Sequence, residues 1–141
     1  MQYNTVINGD CDRIMPEMIE EGIKADLILT DPPYNLNKDF GNDSDKLELS
    51  DFLKVTKSRV NLCKQLLEPN GSLLWFGIHH YIGFIQTMMY EAGLYYRRMN
   101  IWYYANGFSR TSKAPLAQYE PFLWFSKSKT KWTYNVDDVR I

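Results

Sequence analysis

Apolar residues along this chain recur with two spacings, which predict strands and helices in alternation. Short apolar runs at 25–30 and 72–77 predict buried strands, and the first suits a parallel strand covered on both faces. Apolar residues at helical spacing predict helices over 12–21, 50–67 and 81–93. Such an alternation is typical of an α/β sheet with helical crossovers.

Three further apolar runs complete the predicted sheet. Residues 5–8 predict a short strand that stops at a Gly-Asp turn, and 99–104 and 121–127 predict two late strands. Because no helix separates the late strands, we expect one of them to be antiparallel. The polar stretch 35–48 predicts a mobile loop, and Ser50 is the expected N-cap of the next helix.

Composition narrows the class of protein. Sixteen basic and 17 acidic residues leave a formal charge of -1, so a nucleic-acid partner would need a local basic patch. No apolar run approaches the ~18 residues that span a membrane, and the N-terminus lacks the apolar region of a signal peptide. We therefore expect a cytoplasmic protein with no membrane partner. Cys11 and Cys63 lack metal-type spacing and predict two thiols in a reducing compartment.

The first buried run ends abruptly in the sequence Asp-Pro-Pro-Tyr at 31–34. Prolines have no N–H, so the Asp31 carboxylate and the Pro32 carbonyl form a group of acceptors that suits an amino group. Tyr34 adds a ring on which a planar heterocycle can stack. The residues therefore favour a planar, amino-bearing base as ligand. A strand-ending turn with a packed tyrosine is the simpler alternative.

A second motif lies in an equivalent position. Gly9-Asp10 follows the predicted strand at 5–8, as the Asp-Pro-Pro-Tyr motif follows the strand at 25–30. In sheets of this class, ligands bind outside the carboxyl ends of the strands. We therefore expect both motifs to border one crevice.

Five segments resemble the amino-methylating DNA methyltransferases that use S-adenosylmethionine, specifically the N6-adenine enzymes of the β-type arrangement. The resemblance covers nearly the whole chain and implies a Rossmann-like, mostly parallel sheet with a late antiparallel strand. Aspartate at position 31 favours adenine over cytosine, whose enzymes usually carry serine there. The segments are INGDCDRIM (7–15), ADLILTDPPYNL (25–36), LLEPNGSLLWFG (66–77), NIWYYANG (100–107) and QYEPFLWFSKSK (118–129).

The resemblance implies a catalytic role for each residue at 31–34. Asp31 would hold the target amino group close to the methionine end of the cofactor. Pro32 would accept the second amino hydrogen through its carbonyl, with Pro33 completing the rigid step. Tyr34 would stack on an adenine flipped out of duplex DNA. These enzymes methylate specific sites and often belong to restriction–modification systems.

The resemblance also implies binding residues outside that motif. Asp10 would accept a hydrogen bond from the adenine amino group of S-adenosylmethionine, and the Cys11 N–H would face the same ring. The chemistry needs no metal.

Local positive charge that could meet DNA comes from Arg97, Arg98, Arg110, Lys113, Lys127, Lys129 and Lys131. Of these, Arg110 and Lys113 lie in a loop that could follow DNA phosphates, with ordinary surface charge as the alternative. His79 and His80 are expected to be structural or surface residues rather than catalytic ones. The aromatic residues Trp102, Tyr103 and Trp124 are expected to belong to the core rather than to stack on bases.

One motif of the family is absent. The glycine-rich Phe-x-Gly-x-Gly turn that binds the methionine part of the cofactor does not occur in residues 1–141. We therefore expect these residues to be the catalytic half of a methyltransferase domain, inactive alone, with an apolar gap where the other half packs. That half would be a C-terminal continuation or a complementary chain, and a homodimer stays open. The alternatives are an inactive binding or assembly module, or an enzyme acting on RNA or on cytosine N4.

Overall fold

The computed structural model describes residues 4–39, 41, 45–107, 113 and 115–139. Over these ranges the chain folds into a mixed α/β structure with a four-stranded sheet. The elements are α1 (Cys11–Glu20), β1 (Ala25–Thr30), α2 (Leu49–Leu66), β2 (Leu67–Phe76), α3 (Ile82–Glu91), β3 (Tyr95–Tyr103), β4 (Tyr119–Ser126) and a short 3-10 turn (Val136–Asp138).

The sheet has the strand order β1-β2-β4-β3. β1 and β2 pair in parallel, whereas β4 is antiparallel to both of its neighbours. Consequently β1, β2 and β3 share one direction, and the predicted late antiparallel strand is β4. The carboxyl ends of three strands and the amino end of β4 therefore meet at one edge, which we call the carboxyl edge.

Helices α2 and α3 cover one face of the sheet. Alternate residues of β2 and β4 are buried against them, as the two-residue period of a strand requires. Each large apolar side chain buried in this way contributes roughly 1.5–3 kcal/mol to folding. The core consists of Val60, Cys63, Leu67, Leu73, Trp75, Ile82, Ile85, Met89, Leu94, Leu123 and Phe125.

The opposite face of the sheet is open at β1, so the prediction that this strand is covered on both faces was wrong for these residues. Leu27 and Leu29 are 55% and 63% exposed, and Leu29 pairs with Leu74 on the same face. A groove of about 790 Å³ extends along this face and is bordered by Leu27, Trp124 and other aromatic side chains. The apolar gap expected where another half of the domain packs stays a prediction.

The predicted strand at 5–8 was also wrong. These residues form no strand, and Val6 is 94% exposed. A β-branched run favours an extended backbone, but a strand becomes stable only when a neighbouring strand satisfies its N–H and C=O groups. No described strand pairs with this segment.

The predicted helices are confirmed to within two residues at each end. Gly22 and Gly93, with φ of 74° and 75°, follow α1 and α3, where a left-handed residue is needed to end the helix. The N-cap prediction for α2 was wrong, because Glu48 occupies that position and Ser50 lies inside the helix. β3 begins at Tyr95 rather than at residue 99 because sheet pairing continues through two arginines that interrupt the apolar run.

Across the described residues, no helix is both long enough and apolar enough to cross a lipid bilayer.

Candidate active site

The Asp-Pro-Pro-Tyr turn lies at the carboxyl edge, directly after β1. The Asp31 side chain is exposed, whereas Pro32, Pro33 and Tyr34 are half-buried. Proline fixes its own φ and restricts the residue before it, so this turn is stiff before any ligand arrives. The sequence prediction of a rigid motif at a strand end is confirmed.

The two ends of the turn are joined by a hydrogen bond. The Tyr34 hydroxyl donates to Oδ1 of Asp31. Burial raises the pKa of Tyr34 well above its ordinary value of 10.0, and the hydrogen bond and charge of Asp31 raise it further. The hydroxyl therefore stays protonated, and its bond to Asp31 fixes the orientation of the ring. A carboxylate has about four lone-pair sites, so Asp31 keeps acceptor capacity for a ligand.

A mostly apolar cavity of about 180 Å³ adjoins the turn. It is smaller than the roughly 300–1,000 Å³ of a typical ligand pocket, so it has room for part of a cofactor or base but not for a whole cofactor. Its walls come from the turn, from α1, α2 and α3, and from the end of β2: Asp12, Pro32, Pro33, Tyr34, Leu47, Phe52, Val55, Thr56, Arg59, Trp75, Phe76, Gly77, Ile78, Tyr81 and Ile85.

An ion pair at this cavity joins α1 to α2. Arg59 donates from Nε and Nη2 to the two oxygens of Asp12, at 2.8 and 2.7 Å. The Arg59 hydrogen bonds lower the pKa of Asp12, and the same contact raises the pKa of Arg59. Sequence reasoning missed this pair, because nothing in the local pattern links residues 47 positions apart.

The cavity beside the Asp-Pro-Pro-Tyr turn does not include the Gly-Asp motif itself but only Asp12, two positions after Asp10. Asp12 lines the cavity together with Pro32, whereas Asp10 and Cys11 are not among its walls. Oδ1 of Asp10 accepts from the Asp12 N–H at 2.9 Å and caps α1. The roles of Asp10 and Cys11 in cofactor binding therefore stay predictions.

The side chains of Asp10, Cys11 and Asp12 offer ligand atoms within 4.8 Å of one another, but all three are exposed. Both carboxylates already have partners, in the helix cap and in the ion pair with Arg59. Both Cys11 and Cys63 are free thiols. We assign no metal to this cluster.

Exposed aromatic residues continue along the carboxyl edge beyond the turn. Trp102 and Tyr103, at the end of β3, are 61% and 68% exposed, so the prediction that they belong to the core was wrong. They pair with Glu120 and Tyr119 at the start of β4. The charge of Glu120 is among the causes that raise the pKa of Tyr34, which places this edge near the turn.

Three other residues predicted to be structural have distinct environments. Trp124 is half-buried on the sheet, and its indole N–H donates to the Ser72 hydroxyl at 3.1 Å. His79 and His80 are exposed after β2, with ring centroids 4.9 Å apart. None of the three contacts Asp31 in the described part of the chain.

The basic residues that we expected near DNA lie in different environments. Arg110 lies outside the described residues, and Lys113 is exposed. Arg97 is part of the fold, because its guanidinium lies 3.5 Å from the centroid of the Trp132 ring and its Nε donates to the Ser126 hydroxyl at 2.7 Å. The prediction of DNA contact at Arg110 and Lys113 stays a prediction.

Comparison with known proteins relates this architecture to a family. Residues 25–141 match the DNA methylase family. The chain belongs to that family. This DNA methylase is 33% identical over 117 residues to the type II methyltransferase M.HpaI of Haemophilus parainfluenzae, across 82% of the chain and 37% of that protein. It is 25% identical over 140 residues to the DNA adenine methyltransferase YhdJ of Escherichia coli (strain K12), across 99% of the chain and 47% of YhdJ.

Solved structures agree with the fold. The crystal structure of the M1.HpyAVI–SAM complex superposes with a TM-score of 0.68 at 27% identity, over 92% of this chain and 57% of that one. The cytosine-N4-specific PvuII DNA methyltransferase shares the fold at 14% identity, with a TM-score of 0.67. The DNA methylase described here therefore spans less than two thirds of each of these relatives.

Proposed function

We propose that this DNA methylase transfers a methyl group from S-adenosylmethionine to N6 of an adenine in duplex DNA. The observation that carries the proposal is the Asp-Pro-Pro-Tyr turn at the carboxyl edge, with its ring held against Asp31 by a hydrogen bond. A carboxylate, a proline carbonyl and a fixed aromatic ring together suit a planar base with an amino group.

In this proposal, Asp31 and Pro32 hold the amino group through its two hydrogens. The lone pair of an aromatic amine is delocalised into the ring, which makes the nitrogen a weak nucleophile. Acceptors that draw the hydrogens out of the ring plane favour a more pyramidal nitrogen with a directed lone pair. Positioning and electrostatics of this kind can supply a large share of a rate enhancement. Tyr34 would carry the base on its ring face.

The residues at the carboxyl edge fit part of the cofactor. When bound, S-adenosylmethionine supplies an electrophilic methyl group on a positively charged sulfur. The exposed Asp31 carboxylate suits that charge, and Asp10 keeps acceptor capacity beyond its capping bond for an adenine amino group. The cavity of about 180 Å³ leaves most of the cofactor to be held elsewhere. A similar protein, M1.HpyAVI, was solved as a complex with SAM, which supports this choice of cofactor.

Duplex DNA is the proposed partner, and the target base must leave the helix stack to reach the turn. A relative that is named a DNA adenine methyltransferase supports adenine as the target. We propose that the remainder of the cofactor site and the recognition region come from a further part of the protein or from a complementary chain, with a homodimer as the other arrangement. The bacterial cytoplasm is the expected compartment.

The alternative substrates, like adenine, carry an amino group on an aromatic ring. The matching family has a name that covers both N6 and N4 methylation, so cytosine N4 is the main alternative, and an RNA base is another. An inactive binding module is the alternative of a different class. The intact Asp31–Tyr34 contact favours an active site over that module.

The test is to incubate the intact gene product with methyl-tritiated S-adenosylmethionine and, separately, unmethylated duplex DNA and RNA, and then to analyse the nucleosides. We expect label in N6-methyl-2′-deoxyadenosine from duplex DNA. Label only in N4-methyl-2′-deoxycytidine, or only in nucleosides from RNA, would replace the proposed substrate. Cofactor binding without any label would favour the binding module.

A further inference from the structure

One buried aspartate satisfies four consecutive backbone N–H groups just after the Asp-Pro-Pro-Tyr turn, three through its carboxylate and one through its main-chain carbonyl. Asp45 is 1% exposed. Its carboxylate accepts from the N–H groups of Asn35 at 2.6 Å, Leu36 at 3.0 Å and Lys38 at 2.7 Å. Its main-chain carbonyl accepts from the Asn37 N–H at 2.7 Å. Residues 35–38, the first part of the stretch that we predicted to be a mobile loop, are thus bound to a single residue.

The backbone of residues 35–38 is shaped to receive an anion. Asn35 and Asn37 adopt φ of 58° and 62°, the left-handed region that asparagine tolerates better than most residues. Left-handed residues interspersed with ordinary ones turn successive N–H groups toward a common point, which makes an anion-binding nest. In this protein the anion is the chain's own Asp45.

A second contact closes the same segment. The Asn35 side-chain amide donates to the Leu47 carbonyl at 2.9 Å and accepts from the Leu47 N–H at 2.8 Å. Leu47 lines the cavity beside the turn, together with Pro33 and Tyr34. We call residues 35–38, Asp45 and Leu47 the clasp. It joins the end of the turn to the cavity wall.

We propose that Asp45 is a positioning residue for methyl transfer, acting through the Asn35 peptide on Tyr34. The fixed φ of Pro33 restricts the backbone just before Tyr34, and the clasp restricts the backbone just after it. The ring is therefore fixed on its backbone as well as by its bond to Asp31. A target base then meets a preformed surface, and no loop has to order at that moment. The inference rests on the proposed function.

The test compares Asp45→Asn with Asp39→Asn in the intact gene product. A carboxamide at residue 45 has one acceptor oxygen for three N–H groups, and its own N–H₂ points at donors. Asp39 is an exposed aspartate of the same loop that accepts one N–H, from Gly41 at 2.8 Å, and serves as the matched control.

We expect Asp45→Asn to lower kcat about 100-fold, the scale of a 1 Å misplacement, with KM for DNA changed less than about threefold. A DNA substrate with 2-aminopurine at the target position should show altered fluorescence in the complex, because stacking on Tyr34 changes. Asp39→Asn should match the wild type in kcat, in KM for DNA and in 2-aminopurine fluorescence. A fall in thermal stability alone, with wild-type kcat and fluorescence per folded molecule, would overturn the proposal.

A second variant tests the nest itself. In Asp45→Ala, the N–H groups of Asn35, Leu36 and Lys38 lose the carboxylate, and added formate should restore part of kcat in a saturable manner. Chloride at equal ionic strength should restore less. Lack of rescue in a variant that is folded by circular dichroism would contradict the assignment.

Hydrogen exchange separates failure of this inference from failure of the proposed function. In the wild type, the amides of Asn35, Leu36 and Lys38 should exchange slowly, and Asp45→Asn should make them exchange faster whatever the substrate is. If these amides exchange slowly but no nucleic acid is methylated, the contacts of the clasp are supported and the proposed methyltransferase function is rejected. If these amides exchange fast in a wild type that methylates DNA, the clasp is rejected and the proposed methyltransferase function is supported.

Discussion

At the scale of single residues, Tyr34 connects the geometry of the site to its chemistry. Its hydroxyl donates to Asp31, and burial keeps its pKa above the ordinary range. The phenol is therefore a permanent donor, and raising the pH to about 10, where free tyrosine ionises, does not remove it. The ring and the hydroxyl have separable roles, namely stacking on the base and orientation of the ring.

Two substitutions separate those roles. Tyr34→Phe keeps the ring and loses the hydrogen bond, so we expect kcat to fall about threefold to tenfold. Tyr34→Ala also loses base stacking, which is worth roughly 1–3 kcal/mol, and should lower kcat/KM by a further ten- to hundredfold. Steady-state methylation kinetics measure both. Equal losses in the two variants would show that the ring does not carry the base. Tyr90→Phe, on α3 away from the turn, is the control.

At the scale of elements, the ion pair between Asp12 and Arg59 joins α1 to α2 at the cavity wall. The Asp12 pKa lies below its ordinary 3.8 because Arg59 donates to the charged form. The stabilisation is therefore present above about pH 4, and it is lost as the pH falls through the lowered pKa. The Asp12 side chain is 41% exposed, so solvent screening limits the effect.

We expect Asp12→Asn to lower the free energy of unfolding by about 0.5–1 kcal/mol at pH 7. The difference from the wild type should shrink as the pH falls below 3.8 and vanish once the pH has passed the lowered Asp12 pKa, where the wild-type carboxyl is also neutral. Urea unfolding at several pH values measures this. Glu17→Gln, which removes a more exposed pair with Arg13 at 3.9 Å, should cost less. A loss that is independent of pH would mean that packing, and not charge, joins the two helices.

Sequence patterns predicted the elements better than the contacts between them. The apolar run of β1 and the Asp-Pro-Pro-Tyr turn are local signals, and they predicted a strand and a rigid turn correctly, whereas the covering of β1 on both faces was predicted wrongly. Val6 was misread because strand formation depends on a neighbour that no local pattern reveals. The exposed Trp102 was misread because aromatic residues are usually buried, whereas this one lies at a sheet edge. The nest around Asp45 depends on backbone angles at two asparagines, which composition does not specify.

At the scale of the whole molecule, the two faces of the sheet differ in their covering. Leu73 is fully buried against α2 and α3, whereas Leu29 on the other face is 63% exposed. The same residue type therefore has two environments in one sheet. The difference can be tested in the 141-residue chain.

In that chain, Leu73→Ala should destabilise by about 2–5 kcal/mol, the cost of deleting a buried leucine side chain. Leu29→Ala should cost less than about 1 kcal/mol, because its side chain already meets solvent. Chemical denaturation measures both values. If Leu29→Ala destabilises the intact gene product more than the 141-residue chain, another part of the protein covers that face. Equal costs for both leucines would contradict the open face.

The central claim is that the Asp31 carboxylate takes part in methyl transfer to adenine. The most direct test is the single-turnover rate of N6-methyladenine formation by the intact gene product, for wild type, Asp31→Ala and Asp26→Ala. Asp26 is an exposed aspartate near the other end of β1, so it controls for loss of charge on the strand. We expect Asp31→Ala to reduce the rate about 100- to 1,000-fold, as for loss of a key electrostatic group, and Asp26→Ala to keep the wild-type rate. An Asp31→Ala rate within about threefold of the wild type would contradict the account.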